Sequence, residues 1–545
     1  MRRQLTLLCS IAILVACSAT PAPTALPTPA AVAPTSAPSP TAPPTSAPSP
    51  TTTPSPTSAP SPTSAPSPTS TPSPTALPLA DAPLNPQDQA AALRPEFVGD
   101  LARAGEWNRY TISAEIDPDA RTLIGRMRLE YTNRDGVALD RLYFHLYPNL
   151  PDFGGRLEVR QVQADGAGAE VVYEARRYLL RVNLPQPLAP GARTTIVIAW
   201  STSAPENASQ RLYGAFNKEA GVLALASAYP IVAVVRGGQW DIGRPDPQGD
   251  FVNSETALYD VTLRAPGDWL VLTTGRVIDR SDQAGTAVLR IVSGPQRDFM
   301  IALTQLEVAT AEVAGTQINS YYRADDRGAG QSALQAAANA LSAFNKRYGP
   351  YPLRELDVVE IAAGTFLGVE YPGLIAIEQS LYASGDGLEI TVAHEVGHQW
   401  WYSQVGNDVQ TSSWLDEALA SYSQIVYQEE IYGPAAAAQE LEGFRQRYRR
   451  VLAQGLDAPA QQPNSAFRGN YVTLVYGKAV LFFQAMRAQI GDAAFDRFLH
   501  DYYASQRYNY VNGDTLRATA EASCACDLRQ LYDDWITRAV PLEVP

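Results

Sequence analysis

The chain has 545 residues, of which 45% are hydrophobic, and this is enough for two or three domains with sizeable cores. Its formal net charge of -14 argues against nucleic acid as a partner, because phosphate binding needs clustered lysine and arginine. We therefore expect a multidomain globular protein with no nucleic-acid partner.

The N-terminus has the pattern of a secretory leader. Two arginines precede an apolar run at residues 5–16, which is too short to span a membrane as a helix. The run is followed by Cys17 in a context that resembles a bacterial lipobox, whose cysteine carries a lipid. This predicts a signal peptide at residues 1–16 and an extracytoplasmic bacterial protein anchored to the cell membrane through Cys17. An uncleaved single-pass anchor is the alternative.

Residues 17–80 form a tract rich in proline, serine and threonine, in which TSAPSP units recur. Such a composition lacks the apolar side chains that a core needs, so we predict a disordered tail. Frequent proline favours polyproline II, which would give a semi-rigid spacer up to roughly 190 Å long at about 3.1 Å per residue. The tract would hold the folded part away from the membrane.

Residues 110–313 contain short runs in which apolar and polar residues alternate, for example 110–116, 126–131 and 259–263. Turn residues separate these runs, as is typical of strands in antiparallel sheets. We predict an all-β N-terminal domain, most simply a sandwich, over residues 81–313. His145 lies in one such run and is interpreted as a structural histidine rather than a metal ligand.

From about residue 317 the spacing of apolar residues is no longer only the alternation typical of strands, and helical spacing also occurs. Residues 332–348 predict a helix, and 358–361 and 374–377 predict strands. Further helices are predicted at 434–452, 477–490 and 528–539. A small sheet followed by helices indicates a thermolysin-like α+β domain over residues 314–545.

The most informative motif is His394-Glu395-Val396-Gly397-His398, followed by Glu417 after eighteen intervening residues. Residues four apart share a helix face, so both imidazoles can reach one ion while Glu395 lies beside it. Two histidines and a glutamate leave the fourth position of a tetrahedral zinc ion for water, whose pKa the metal lowers to about 7. We predict that His394, His398 and Glu417 hold one zinc ion and that Glu395 is the general base.

Glu417 must come from a second helix packed on the first. Residues Ser413 to Asp416 have the pattern of a capping box and predict that this helix opens there, with Glu417 in its first or second turn. The small residues that follow would let the two helices approach closely around the ion.

Residues 394–423 resemble the aminopeptidase-N-like gluzincins, whose mark is HExxH and, eighteen residues later, a glutamate within a WLxE motif. The resemblance implies a zinc metallopeptidase of the aminopeptidase type, with peptide substrates and a β domain before its catalytic domain. Long members of the family have a further helical C-terminal domain, whereas about 130 residues follow Glu417 here, so we expect a more open cleft.

Two further stretches resemble motifs of this family. Gly368 and Glu370 lie in a stretch similar to the GxMEN strand, which implies that they bind substrate and that Glu370 holds its free α-amine. Leu367, Val369 and Tyr371 depart from that motif, so strict exopeptidase specificity stays open. A second anchor for the amine, which long members take from an N-terminal loop, has no recognisable surroundings here.

Downstream, Tyr471 and Tyr476 resemble the family's paired tyrosines, which implies that Tyr476 stabilises the oxyanion. A phenol hydroxyl near the metal can donate to the oxygen that becomes negative. The alternative for Tyr476 is an ordinary half-buried aromatic on a helix beginning near Gly477. The alternative for Glu370 is a solvated residue that keeps an edge strand from pairing.

Two other functions remain open. One is another zinc hydrolase on the same site, such as an endopeptidase or an epoxide hydrolase. The other is a binding lipoprotein with a structural zinc ion, although a structural site needs neither a base nor Tyr476.

Cys524 and Cys526 are the cysteines that follow the leader and Cys17. They could form a local disulfide, bind metal or remain small buried thiols, and we predict a structural role outside the zinc site.

Overall fold

The computed structural model describes residues 83–206 and 212–540. The signal peptide predicted at 1–16, the lipidation site predicted at Cys17 and the disordered tract predicted at 17–80 lie outside the described residues. Within the described ranges, no helix combines the length and the apolar character that crossing a bilayer would require.

The N-terminal part is built of strands, as the alternating pattern predicts. They are β1 (Asn108–Asp117), β2 (Thr122–Thr132), β3 (Leu139–His145), β4 (Arg156–Ala164), β5 (Ala167–Gly168), β6 (Val171–Glu174), β7 (Leu179–Leu188), β8 (Arg193–Ser203), β9 (Phe216–Glu219), β10 (Val222–Leu225), β11 (Ile231–Val232), β12 (Val235–Arg236), β13 (Gln239–Trp240), β14 (Ala257–Pro266), β15 (Leu270–Thr273), β16 (Arg276–Gln283), β17 (Thr286–Gln296) and β18 (Ile301–Thr304).

An eight-stranded sheet dominates this part, in the order β16-β17-β14-β1-β2-β8-β4-β5, and only its β1–β14 pair is parallel. Along β2 and β8 every second residue is buried, as expected for a sheet with one face on a core. The smaller sheet β11-β3-β7-β6 shares its hydrophobic cluster with the large one. The remaining sheets are β15-β18-β10-β9 and β12-β13. The predicted β-sandwich character is therefore confirmed.

His145 is buried at the end of β3, between the rings of Tyr147 and Tyr178. Burial lowers its pKa to about 4, so the imidazole is neutral at pH 7. The side chain lies in the core of the β part, in agreement with a structural role.

A second part contains a five-stranded sheet, β19-β20-β21-β23-β22. Its strands are β19 (Glu307–Val313), β20 (Thr316–Tyr322), β21 (Glu355–Ile361), β22 (Gly368–Tyr371) and β23 (Leu374–Glu378). β19 and β20 pair along their whole length, so the boundary predicted between residues 313 and 314 cuts a hairpin. A boundary before Glu307 keeps the hairpin together, because hydrogen bonding rather than composition decides which sheet a strand joins.

Helices make up most of the rest. They are α1 (Arg327–Arg347), α2 (Gln379–Ser384), α3 (Leu388–Gly397), α4 (Trp414–Tyr432), α5 (Pro434–Ala453), α6 (Tyr471–Thr473), α7 (Ala479–Ile490), α8 (Asp492–Gln506), α9 (Gly513–Cys524) and α10 (Arg529–Tyr532). π turns at Leu474–Lys478 and Asp533–Thr537 occupy ends of the helices predicted at 477–490 and 528–539. Cys524 and Cys526 form a disulfide at the end of α9, so of the three alternatives the structure has the local disulfide.

Residues before β1 depart from the all-β prediction for 81–313. Two 3-10 helices, Pro86–Ala92 and Pro95–Glu106, precede the first strand. Leu93 and Phe97 are buried in the same hydrophobic cluster as α1 and α3, and the Arg94 N–H donates to the Pro352 carbonyl at 2.9 Å. This segment therefore packs against the helical part, which an isolated sequence pattern does not reveal.

Candidate active site

His394, His398 and Glu417 converge at the contact between α3 and α4. Their ligand atoms form a nearly equilateral triangle: His394 Nε2 to His398 Nε2 is 3.2 Å, His398 Nε2 to Glu417 Oε2 is 3.2 Å, and His394 Nε2 to Glu417 Oε2 is 3.4 Å. Donors about 2.0–2.1 Å from a tetrahedral zinc ion are about 3.3 Å apart, so the triangle has the size that zinc requires.

The polar atoms around the triangle also fit a cation. Glu417 Oε2 is buried and accepts no hydrogen bond from the described residues, although it faces the two imidazoles. His398 Nδ1 lies 3.0 Å from the Trp401 carbonyl, which fixes the proton on Nδ1 and leaves the Nε2 lone pair facing the triangle. The Gln424 amide lies 3.2 Å from His394 Nδ1, and with its oxygen toward the ring it would accept that proton.

α4 begins where the sequence predicts, but the predicted capping box is wrong. The Ser413 side chain caps no N–H of α4 and instead donates to Asn464 Oδ1 at 3.0 Å. Asp416 accepts a hydrogen bond from Asn407 Nδ2 at 3.0 Å rather than reaching back to the cap. Residues from other parts of the chain, Asn464 and Asn407, thus take the place of the hydrogen bonds that a capping box would make within the helix. Glu417 still falls in the first turn, where the helix dipole favours a carboxylate.

The Glu417 carboxyl is held as an anion. Burial opposes its ionisation, but the close contact of the carboxylate with the imidazoles of His394 and His398 lowers its pKa to about 2. A buried carboxylate between two imidazoles is a suitable third ligand for a divalent cation.

Glu395 lies on α3 between the two histidines and is buried. Burial raises the pKa of its carboxyl to about 8, and Oε2 has no hydrogen-bond partner within the described part of the chain. Gly368 packs directly against this carboxylate, since a β-carbon there would overlap it. Glu395 is therefore a buried carboxyl group with a free oxygen next to the histidine pair.

Glu370 lies on β22, which is an edge strand, yet its side chain is buried and 4.0 Å from His398 Nδ1. The solvated-edge alternative is therefore wrong. Gln399, just beyond the end of α3, bonds to the end of this strand: its Nε2 donates to the Tyr371 carbonyl at 3.1 Å, and its Oε1 accepts from the Gly373 N–H at 2.9 Å. The departures at residues 367, 369 and 371 have thus not moved the glutamate away from the histidines.

Tyr476 lies in the π turn before α7, and its hydroxyl donates to Glu417 Oε1. Its ring stacks on the His394 ring, with centroids 6.0 Å apart. Tyr471 contacts the Tyr476 ring edge-on, and its own buried hydroxyl has no partner among the described residues. Burial, with the nearby Glu417 charge, holds the pKa of Tyr476 well above its usual value, so the phenol remains a donor.

Asp250 is a site residue that the sequence analysis missed. It comes from the β part, in the loop before β14, and its carboxyl lies close enough to that of Glu370 for the two to interact electrostatically. Burial raises the pKa of Asp250 to about 7, and burial together with the Asp250 charge raises that of Glu370 well above its ordinary value. One buried and one partly buried carboxyl that interact in this way favour the approach of a positive charge. No local motif marks Asp250, since only the fold brings it to the histidines.

Among the described residues a second donor group combines Glu370, His398 and Asp416. Glu370 approaches His398 on the Nδ1 side, where the ring already bonds to the Trp401 carbonyl. The first group alone offers lone pairs from both histidines, so it is the better cation site.

Comparison with known proteins agrees with this geometry. Residues 332–535 match the model of the Peptidase family M1 domain. This region of the chain is therefore similar to a peptidase family M1 domain. The two histidines, Glu417, Glu370 and Tyr476 all lie within the matched region, whereas Asp250 lies outside it. The predicted resemblance to aminopeptidase-N-like gluzincins is therefore confirmed.

Relatives of the M1 domain include named aminopeptidases. Aminopeptidase RNPEPL1 of Homo sapiens is 31% identical over 37% of this chain and 30% of the relative. Aminopeptidase M1-B of Oryza sativa subsp. japonica is 23% identical over 51% of this chain and 34% of the relative. The chain thus spans about a third of the length of these curated relatives.

Solved structures have a fold similar to that of this chain. The M1 zinc metallopeptidase of Deinococcus radiodurans has a TM-score of 0.60 and 20% identity, covering 80% of this chain and 94% of that one. A mutant of the same protein bound to a Tyr-Ser-Ala substrate has a TM-score of 0.60 and 18% identity, covering 80% and 95%. This likeness confirms the predicted fold class for the folded part of the chain.

Proposed function

We propose that this protein is a zinc-dependent peptidase that releases residues from the N-termini of peptides. The observation that carries the proposal is the triangle of His394 Nε2, His398 Nε2 and Glu417 Oε2, with sides of 3.2 to 3.4 Å and the free carboxylate oxygen of Glu395 beside it. Three protein ligands with a base at hand are typical of a catalytic zinc site, whereas a structural site closes its fourth position with protein.

We propose a single zinc ion held by these three side chains. When bound, it supplies Lewis-acid polarisation of the scissile carbonyl and lowers the pKa of a nearby water molecule. Glu395 accepts the proton of the attacking water on its free oxygen and then delivers it to the leaving amine, as general base and general acid in turn. Gly368 leaves room for this carboxylate, so it acts by fixing the position of Glu395.

Tyr476 is the proposed donor to the developing oxyanion. Its hydroxyl donates to Glu417 Oε1, next to the proposed metal ligand, and its ring is partly buried against the hydrophobic core. Partial exclusion of water strengthens a hydrogen bond to a charged oxygen. Donation to the carbonyl oxygen as it becomes negative would stabilise the transition state more than the bound substrate.

The acidic side chains of Glu370 and Asp250 support the release of N-terminal residues, because they can bind the free amine of a peptide. Glu370 and Asp250 place two carboxyls beside the histidines, and a substrate ammonium would neutralise the charge that burial disfavours. Asp250 thereby supplies the second anchor whose sequence surroundings were not recognisable. Support also comes from the Deinococcus radiodurans relative, a mutant of which binds a Tyr-Ser-Ala substrate.

We further propose that the protein is lipid-anchored through Cys17 and extracytoplasmic. The lipobox-like leader and the spacer at 17–80 support this placement, as does the Cys524–Cys526 disulfide, because disulfides persist in oxidising compartments. Metabolic labelling with a fatty acid should mark the wild-type protein and not Cys17→Ala. Equal labelling of both would exclude the anchor.

The activity is tested with a mixed peptide library read by mass spectrometry. Cleavage should stop with a chelator and return with zinc, and N-acetylated peptides should resist. Cleavage of acetylated and free peptides at equal rates would instead indicate an endopeptidase, and binding of zinc without any cleavage would indicate the binding lipoprotein.

Glu395→Gln separates the base from the metal ligands in the same assay. It should keep zinc and lose about 100-fold or more of the turnover. Glu389→Gln, in the first turn of the same helix, is the matched control and should cleave like the wild type. Turnover near the wild-type value in Glu395→Gln would exclude the assigned base.

A further inference from the structure

Tyr402 has an unusual backbone conformation close to the metal site. Its φ is 124°, in a region that residues other than glycine rarely adopt. The preceding carbonyl, of Trp401, accepts the Nδ1 proton of His398 at 3.0 Å. Because the Trp401 carbonyl belongs to the peptide unit that ends at the Tyr402 nitrogen, the conformation of Tyr402 helps to set where that carbonyl points.

Two buried residues that directly follow β17, Arg297 and Asp298, hold Tyr402 by hydrogen bonds. The Tyr402 hydroxyl donates to Asp298 Oδ2 at 2.8 Å, and Arg297 Nε donates to the Tyr402 carbonyl at 2.6 Å. Arg297 and Asp298 are each 2% exposed, so water competes for neither bond. Both the side chain and the backbone of the strained residue are therefore held.

The Arg297 side chain is itself fixed. Arg297 Nη1 donates to the Ser254 carbonyl at 3.1 Å and Nη2 donates to the Asn509 carbonyl. With the bond to Tyr402, the planar guanidinium therefore joins three segments of the chain. Gly406 leaves the space that the guanidinium occupies, since a β-carbon there would overlap it. A buried arginine with several carbonyl acceptors has few alternative positions.

We propose that Arg297 and Asp298 are positioning residues for His398, and that they act by holding Tyr402 in a conformation that aims the Trp401 carbonyl at His398 Nδ1. This inference rests on the proposed zinc site. A backbone held away from its preferred conformation relaxes when its restraints are removed, and the carbonyl would then no longer orient the imidazole. Loss of such an outer partner of a ligand typically weakens metal binding 10-fold or more.

Zinc affinity, measured by chelator competition on the full protein, tests the proposal. Tyr402→Phe removes one oxygen and Asp298→Ala removes the acceptor, so each should raise the zinc Kd about 10-fold. Asp298→Asn retains a carbonyl oxygen for the Tyr402 hydroxyl and should restore nearly wild-type affinity. Burial raises the pKa of Asp298 to about 7, so a neutral side chain is compatible with this position.

Tyr508→Phe is the matched control. Tyr508 also has a positive φ, of 69°, is buried, and donates through its hydroxyl to an aspartate, Asp100 Oδ2, at 3.1 Å. Its hydroxyl does not take part in the His398 turn, so this variant should lose stability without losing zinc affinity.

Two results would overturn the proposal, and they are distinguishable. In the first, Tyr402→Phe has a zinc Kd within twofold of the wild-type value and an unfolding midpoint lowered as in Tyr508→Phe. This result would show that the bonds of Tyr402 stabilise the fold without positioning His398. A wild-type protein that binds no zinc would remove the proposed function as well as this inference.

Discussion

Gly368 lies so close to Glu395 that a methyl group at Gly368 would overlap the Glu395 carboxylate. Gly368→Ala should therefore displace the proposed base while the three metal ligands stay in place. We expect a fall in kcat of about 10-fold or more with an unchanged zinc content, because small displacements of a catalytic group are costly. Steady-state kinetics with metal analysis measure both quantities.

The matched control for this change is Gly443→Ala, on α5. A β-carbon at Gly443 meets nothing within 4 Å, so the variant should have normal kinetics and slightly raised stability. Normal kcat in Gly368→Ala would show that the close packing does not position Glu395.

Tyr476→Phe should lower kcat about 100-fold or more and leave KM nearly unchanged, because the hydroxyl acts on charge that develops in the transition state. Tyr432→Phe, an exposed tyrosine on α4, is the comparison and should behave like the wild type. A variant whose KM rises while its kcat is kept would place Tyr476 in substrate binding instead.

Glu370→Gln and Asp250→Asn should weaken the preference for free N-termini, because each removes one of the two carboxyls that would face the ammonium. The ratio of kcat/KM for free and N-acetylated peptides measures this preference, and we expect it to fall about 10-fold or more in each variant. An unchanged ratio in Asp250→Asn would remove this residue from substrate recognition.

His145 makes stability depend on pH. Its pKa is lowered by burial from 6.5 to about 4, so below pH 6.5 the unfolded chain binds a proton that the native state does not. This contribution is fully present above pH 6.5 and is lost as the pH falls toward 4, by about 3 kcal/mol in all. Denaturant unfolding at pH 7 and 4.5 measures the loss.

His145→Phe provides the reference for that titration. It keeps an aromatic ring between Tyr147 and Tyr178 and cannot take up a proton. The wild type should therefore lose more stability than His145→Phe over this pH range. Equal losses in the two proteins would show that His145 is already protonated in the native state or that it is accessible to water.

The sequence predicted the parts of the site that local periodicity controls. His394 and His398 share a face because they lie four residues apart on one helix, and Glu417 comes from the first turn of the next helix. The alternation of buried and more exposed residues along β2 and β8 could likewise be predicted, because one face of a sheet must be buried.

Features that depend on distant partners could not be predicted in this way. Asp250 reaches the site from the β part through the fold alone, and Ser413 bonds to Asn464 instead of capping its own helix. The strained Tyr402 depends on Arg297 and Asp298, which lie more than 100 residues away in sequence. Local pattern carries no information on such pairings.

Zinc content and peptide turnover, measured on the same samples of the wild type and of His394→Ala, test whether His394, His398 and Glu417 form a catalytic zinc site. We predict about one zinc ion per wild-type chain, turnover that is lost on zinc removal and regained on zinc addition, and little zinc or turnover in His394→Ala. Full turnover by zinc-free wild-type protein, or undiminished zinc and turnover in His394→Ala, would exclude a catalytic zinc ion at these three side chains.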